Sequence, residues 1–212
     1  MREHFDFSKT ELSALAVSVI ILGFIIGFND GSSYFVFSNW AFNLFNSIII
    51  AALVILVHIS VQKMTAIYYG LKAHFKAVFY GLIVGVILTV VTNGRFWFIL
   101  PSAVVVSHMA GLRLGEFRHG LNYKHQAVVA MSGSVANILL AVLLKIISYA
   151  PGTSTVIDKV ILVSVLMGCF SMLPIPPLNG SHVFFYSRLL YIFVVATMVG
   201  ASILLYLTGP LL

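Results

Sequence analysis

The chain has 212 residues, of which 60% are hydrophobic and 8% are charged, and its mean hydropathy is +1.06. Its 12 Lys and Arg plus 6 Asp and Glu give 18 charges, where a soluble globular domain of this length carries roughly 50. This composition excludes a soluble enzyme, and it excludes a disordered chain, which needs low hydrophobicity and high charge. Charge-free stretches reach 32 residues, at 31–62, and a membrane-spanning helix needs about 20. The sequence therefore predicts an all-α polytopic integral membrane protein.

The apolar segments predict one membrane domain, 1–212, with about six transmembrane segments. These lie over roughly 12–28, 40–62, 78–92, 127–148, 157–173 and 189–208. The segment 96–107 is short, rich in Val and broken by Pro101. Residues 93–118 are therefore predicted to form either a further pass or a re-entrant or strand-like element, which a membrane tolerates only where protein buries the backbone.

The basic residues predict the orientation, because Lys and Arg in short loops favour the cytoplasmic side. They cluster before the first span, after the second and before 127–148: Arg2, Lys9, Lys63, Lys72, Lys76, Arg113, Arg118 and Lys124. We expect a multi-pass protein of the plasma membrane with a cytoplasmic N-terminus. The net charge of +6 is accounted for by these loops, which would meet the headgroups of the lipid bilayer. No nucleic-acid partner is expected, since no solvent-exposed domain carries a basic face.

Four polar residues in or beside the spans are candidate functional residues, because a polar group in lipid must face protein or a cavity. His58 and Gln62 stand four residues apart, on one helical face. Asn137 follows small residues that let another helix approach closely. Asn179 lies in a proline-rich turn. Each of these also fits an ordinary structural role, as a packing histidine, a helix contact or a turn residue.

Taken in chain order, these segments resemble the site-2 protease family of intramembrane zinc metalloproteases. The family motif His-Glu-x-x-His is matched by HISVQ at 58–62, and Gly-Pro-x-x-Asn by GSVAN at 133–137. Leu-Pro-x-x-Pro-Leu-Asp-Gly is matched at all but one position by LPIPPLNG at 173–180. The resemblance covers roughly 50–187 and implies that these segments meet near the cytoplasmic side of the membrane.

The chain departs from the family at the positions that carry its chemistry. His58 retains the first zinc ligand, but Ile59 replaces the general base, Gln62 the second His and Asn179 the Asp ligand. Catalytic zinc takes imidazole or anionic ligands plus a water, and an isoleucine cannot accept a proton. We therefore expect no catalytic residues and no cofactor. If zinc binds at all, the residual ligands are His58 and His182.

The few carboxylates support the same interpretation independently of the family. All six are predicted to lie in loops or in the N-terminal tail: Glu3, Asp6, Glu11, Asp30, Glu116 and Asp158. None can replace the missing base inside the membrane unless Glu116 folds back onto the site.

The leading hypothesis is a catalytically inactive pseudoprotease that binds or scaffolds a transmembrane partner. Asn137 and Asn179 would contact an unwound segment of the partner, which strand addition would hold. One alternative is a noncanonical intramembrane metalloprotease that uses His58, His182 and an unidentified base. The other is a purely structural subunit of a membrane complex.

Overall fold

The computed structural model describes residues 7–31, 34–100, 102–108, 122–149 and 155–208. Within these ranges the chain forms seven helices and two strands. In chain order they are α1 (Lys9–Gly27), α2 (Phe37–Tyr68), β1 (Leu71–Ala77), α3 (Phe79–Val91), β2 (Ser102–His108), α4 (Tyr123–Ser148), α5 (Thr155–Ser171), α6 (Asn179–Tyr186) and α7 (Arg188–Leu207). Several residues used in the sequence predictions lie outside the described ranges: Arg2, Glu3, Asp6, Pro101, Arg113, Glu116 and Arg118.

Four of the described helices, α1, α2, α4 and α7, are long and apolar enough to cross a membrane. They have 19 to 32 residues, and the mean hydropathy of their most apolar windows is 2.1 to 2.5. The prediction of an all-α polytopic membrane protein is thereby confirmed. The helices α3 and α5, with 13 and 17 residues, occupy the predicted segments 78–92 and 157–173.

The region after α3 is not helical, so the strand-like alternative for 93–118 is confirmed where the chain is described. The chain returns along α3 and then forms β2. A Cβ atom on Gly81 would lie 2.8 Å from the Leu100 carbonyl oxygen, and one on Gly85 would lie 2.6 Å from that of Phe98. The two glycines therefore let the returning backbone lie directly on α3, where protein shields it from lipid.

The strands β1 and β2 form an antiparallel sheet in which Phe75 lies opposite Val104. The Phe75 N–H donates to Glu11 Oε1 at 2.9 Å, and the Val104 N–H donates to Asn179 Oδ1 at 3.0 Å. Both N–H groups thus point away from the partner strand, as in a non-hydrogen-bonded antiparallel pair. At this one position of the register, a hydrogen bond to a side chain outside the sheet holds each of its two edges. We call this end of the bundle the sheet end.

The prediction that Lys63, Lys72 and Lys76 share a loop is wrong. Lys63 lies in α2, which continues beyond the predicted end at Gln62, and its side chain is buried. Lys72 and Lys76 belong to β1, where alternate residues are buried. Apolar and polar residues alternate with period two from Leu71 to Ala77, which is a strand pattern, although basic residues suggested a loop.

Glu11 was expected in the N-terminal tail, but it lies in the first turn of α1 and is 5% exposed. It forms a capping box with Ser8, which turns the carboxylate toward α2 and β1. Lys63 Nζ lies 3.1 Å from Oε2, and His74 Nδ1 lies 3.2 Å from Oε1. The carboxylate thereby offsets the cost of burying the Lys63 ammonium. This group links α1, α2 and β1.

Replacing Glu11 is expected to destabilise the fold strongly. Glu11→Ala leaves the Lys63 ammonium buried without its carboxylate and removes the acceptor of the Phe75 N–H, which together cost about 3 kcal/mol. Thermal unfolding of the purified full chain in detergent measures the change. The control is Lys9→Ala, because Lys9 is exposed on the same helical turn. Equal melting temperatures for the two variants would show that the ion pair contributes nothing.

Candidate site around His58

The site forms where α4 approaches α2 unusually closely. A Cβ atom on Gly133 would lie 2.8 Å from both Cδ2 and Nε2 of the His58 ring, and 2.8 Å from the His58 carbonyl oxygen. Only a glycine therefore permits this crossing of the two helices. Ala130, on the preceding turn of α4, is fully buried and packs in one cluster with Ala66 of α2, which keeps the interface narrow. Small residues on α4 thus place its backbone against the histidine.

His58 is fully buried and its two ring nitrogens face two asparagines. Asn137 Nδ2, from α4, lies 3.2 Å from His58 Nδ1. Asn179 Nδ2, from the start of α6, lies 3.3 Å from His58 Nε2. Both asparagines are fully buried. The structure therefore brings together three of the residues that the sequence singled out, one from each matching motif.

The hydrogen-bond donors and acceptors fix the tautomer of His58. A neutral imidazole has one N–H donor and one acceptor nitrogen, so the two amide NH2 groups cannot both donate to it. The Val104 N–H donates to Asn179 Oδ1 and thereby orients the amide. The NH2 group of Asn179 therefore donates to His58 Nε2. His58 Nδ1 therefore carries the hydrogen. Asn137 is placed with Nδ2 toward Nδ1, and its Oδ1 has no hydrogen-bond partner in this orientation, so a 180° rotation of the amide would let Oδ1 accept that hydrogen. The Gly133 backbone also hydrogen-bonds to the ring.

The turn before α6 positions Asn179. A Cβ atom on Gly180 would lie 2.0 Å from the Met172 carbonyl oxygen, so the chain can fold back onto the end of α5 only with glycine there. Leu178, which precedes α6, is buried. The hydroxyls of Ser134 and Ser171 hydrogen-bond to each other and join α4 to the end of α5. The motif at 173–180 thus builds the corner from which Asn179 reaches His58.

Gln62 and Ile59 take structural roles at the positions of the second histidine and the general base. Gln62 Nε2 donates to the Ala130 carbonyl oxygen of α4 at 3.2 Å, and its side chain is buried. Ile59 is 2% exposed and belongs to the main hydrophobic core, which also contains Leu22 and Ile55. Gln62 thus links α4 to α2, and Ile59 packs among apolar side chains.

His182 lines a different part of the molecule. It faces a cavity of about 370 Å³ together with Tyr123 and Phe185. Burial lowers the pKa of His182, which favours its neutral form. The two ring nitrogens of His58 are hydrogen-bonded to Asn137 and Asn179. His182 takes no part in these contacts.

The residues around His58 do not fit a catalytic zinc ion. Zinc sites of this kind use three imidazole or carboxylate ligands. Among the described residues, no group of three His, Cys, Asp or Glu side chains could hold a metal. The Nε2 lone pair of His58 accepts from Asn179, and the Asn179 oxygen accepts from Val104. A metal would have to break both hydrogen bonds and would gain only neutral ligands.

Comparison with known proteins gives one relationship. The chain is similar to a protein of Methanocaldococcus jannaschii named "Putative zinc metalloprotease MJ0611", with 27% identity over 200 residues. The match covers 92% of this chain and 94% of that protein. No protein-family model matches the chain, and no solved structure gives a significant match. The fold defines a polytopic helical membrane protein, and the comparison shows a relationship to that "Putative zinc metalloprotease".

The close crossing at Gly133 predicts a contrast between two glycine substitutions. Gly133→Ala forces a methyl group against the His58 ring and backbone and should destabilise the fold by about 1–3 kcal/mol. Gly200→Ala on α7 meets no atom within 4 Å and should be neutral or stabilise by up to about 1 kcal/mol. Thermal unfolding of both variants in detergent checks this. If Gly133→Ala unfolds no earlier than Gly200→Ala, the two helices do not cross as described.

Proposed function

We propose that the protein is a catalytically inactive, site-2-protease-like pseudoprotease of the plasma membrane, which holds a transmembrane partner without cutting it. The observation that carries this proposal is the pairing of both His58 ring nitrogens with asparagine amides. A histidine in this setting is a structural hydrogen-bonding group. It offers neither a free lone pair to a metal nor a base to a water molecule.

The described carboxylates support the absence of a general base. Glu11 is held by Lys63 and by the Phe75 N–H. Asp30 follows the end of α1, and Asp158 lies in the first turn of α5, both at the end of the bundle opposite the sheet. None of the three contacts His58, so activation of a water at the site has no proton acceptor among them.

The edge of β2 supplies a surface that fits an extended partner segment. The Val106 N–H and C=O point to the same edge as those of Val104, because residues two apart in a strand share an orientation. Among the described residues the sheet has two strands, so no third strand covers this edge. An unwound transmembrane segment could pair there, beside Asn179 and Asn137.

The proposed orientation follows from the basic residues at the sheet end. Lys72 and Lys76 lie on β1, and Lys124 lies in the first turn of α4. Basic residues near the ends of spans favour the cytoplasmic side. The sheet end, with the start of α1 and the His58 site, would therefore face the cytoplasm, as would the N-terminus in this proposal.

Metal analysis of the full chain purified without chelator is the direct test. We expect zinc far below one ion per chain, no change on His58→Ala, and no cleavage of a model transmembrane substrate in proteoliposomes. Stoichiometric zinc that disappears in His58→Ala, or cleavage that a chelator blocks, would establish the enzyme alternative instead.

Restoring the family residues provides a positive test of the same proposal. The triple variant Ile59→Glu, Gln62→His and Asn179→Asp supplies imidazole and carboxylate ligands at the matching positions. We expect it to bind about one zinc ion per chain. Adding His58→Ala to the triple variant should abolish that binding. A folded triple variant without zinc would show that these positions do not correspond to the family's site.

Partner binding at β2 is tested by removing one outward N–H group. Val106→Pro deletes this donor without removing a hydrogen bond between β1 and β2, so it should reduce capture of a transmembrane segment by at least tenfold. Photocrosslinking from Val105 to a model transmembrane peptide in proteoliposomes measures capture. The control is Val106→Ala, which keeps the N–H. Equal capture by the two variants would rule out strand addition.

A further inference from the structure

A second cavity lies at the end of the bundle opposite the sheet, which we call the far end. It has a volume of about 360 Å³ and lies between the ends of α1 and α3 and the start of α2. The described residues that line it are three aromatic residues, one aspartate and two asparagines: Phe28, Phe35, Trp40, Asp30, Asn29 and Asn93. The proposed function at the sheet end does not use this cavity.

One wall of the cavity is a fixed junction between α1 and α3. Asn29 Nδ2 donates to the Asn93 carbonyl oxygen at 3.1 Å, and its Oδ1 accepts from the Gly31 N–H at 2.8 Å. Gly94 has a φ of 74°, and a Cβ atom there would lie 2.6 Å from Asn29 Cβ. The turn after α3 is therefore built for this close contact.

The opposite wall is held by side chains that satisfy the carbonyl groups at the end of α1. Trp40 Nε1 donates to the Phe28 carbonyl oxygen at 3.2 Å. Asn43 Nδ2 donates to the Gly27 and Asn29 carbonyl oxygens, at 3.0 and 3.2 Å. Lys159 Nζ in turn donates to Asn43 Oδ1 at 2.8 Å. The Trp40 ring and the Asn29 side of the cavity are thus held in place before any ligand enters, which reduces the entropic cost of binding.

The chemistry of the lining selects an organic cation. Aromatic faces attract cations, and ammonium groups with attached carbon are the usual ligands of such sites. The Phe35 and Trp40 rings meet at 51° with centroids 6.2 Å apart, so they form a corner instead of a closed stack. Asp30 adds a negative charge, and none of the described lining residues is basic, while the Lys159 ammonium behind the wall is bonded to Asn43. A bare divalent ion would need more oxygen ligands than one carboxylate and two amides supply.

We propose that this cavity binds an organic ammonium group. Its place at one end of a bundle of membrane-spanning helices allows two sources of the same chemistry. The group can belong to a lipid headgroup, or it can be a free small amine.

The tryptophans of the chain allow a direct binding measurement. Trp40 and Trp97 are its only two, so Trp97→Phe leaves Trp40 as the sole reporter inside the cavity. Choline chloride is the probe, and the full chain is held in nanodiscs of phosphatidylglycerol. We expect a saturable change in Trp40 fluorescence. The uncharged carbon analogue of choline, with tert-butyl in place of trimethylammonium, should bind roughly tenfold more weakly.

Two matched variants locate the charge that is responsible. Asp30→Asn should weaken choline binding by roughly tenfold, because it removes the carboxylate of the lining. Asp158→Asn removes a carboxylate that does not line the cavity and should leave binding unchanged. If Trp97→Phe fails to fold, isothermal titration calorimetry of the unmodified chain replaces the fluorescence measurement.

A second nanodisc composition separates the two sources. If a headgroup occupies the cavity, nanodiscs of phosphatidylcholine should show the choline-saturated emission before any choline is added. If a free amine is the ligand, choline should titrate equally in both lipids. The proposal is overturned by the absence of a saturable response in phosphatidylglycerol, by equal binding of the uncharged analogue, or by unchanged binding in Asp30→Asn.

Discussion

The arrangement of the site depends on the two hydrogen bonds of one amide group. Asn179 donates through Nδ2 to the ring of His58 and accepts through Oδ1 from the Val104 N–H. A single neutral side chain therefore joins α2, α6 and the edge of β2. Because all of these groups are buried, the loss of either bond would leave a polar atom without a partner, which is costly. A carboxylate at this position would need a cation beside it, whereas an amide satisfies both neighbours without one.

The sheet relates this amide to the buried ion pair of Glu11 and Lys63. Phe75 and Val104 face each other in the register, and their N–H groups point to opposite edges, one toward Glu11 and one toward Asn179. Lys63 and His58 lie on the same helix, α2. Both edges of the sheet are thus linked to α2, one through Glu11 and Lys63 and the other through Asn179 and His58. The exposed side of β2 keeps its position relative to His58 because neither strand can shift without breaking a buried contact.

The sequence predicted the helical membrane class, because charge-free lengths are local features. That the segments of His58, Asn137 and Asn179 meet was implied by the resemblance of three motifs to one family. The sequence did not predict β1 or the burial of Glu11. Both depend on contacts between distant residues: Glu11 meets residues 52 and 64 positions away, and Leu71 of β1 pairs with His108. A charged residue taken alone indicates solvent. The period-two pattern from Leu71 to Ala77 was available as a strand signal. The small residues around Gly133 indicated that another helix packs closely there. They did not indicate that Gly133 meets His58, because that contact depends on how the two helices cross.

The short helix α3 has a consequence for the lipid around the protein. Its 13 residues cover about 20 Å, whereas the hydrocarbon layer of a bilayer is about 30 Å thick. The 32 residues of α2 reach about 48 Å and exceed that layer. A stretch this short is accommodated by local thinning of the bilayer or by flanking side chains that reach the interface, whereas α2 is long enough to need neither. Where the bilayer thins beside α3, a transmembrane helix that approaches there would lose less hydrophobic solvation when its end unwinds.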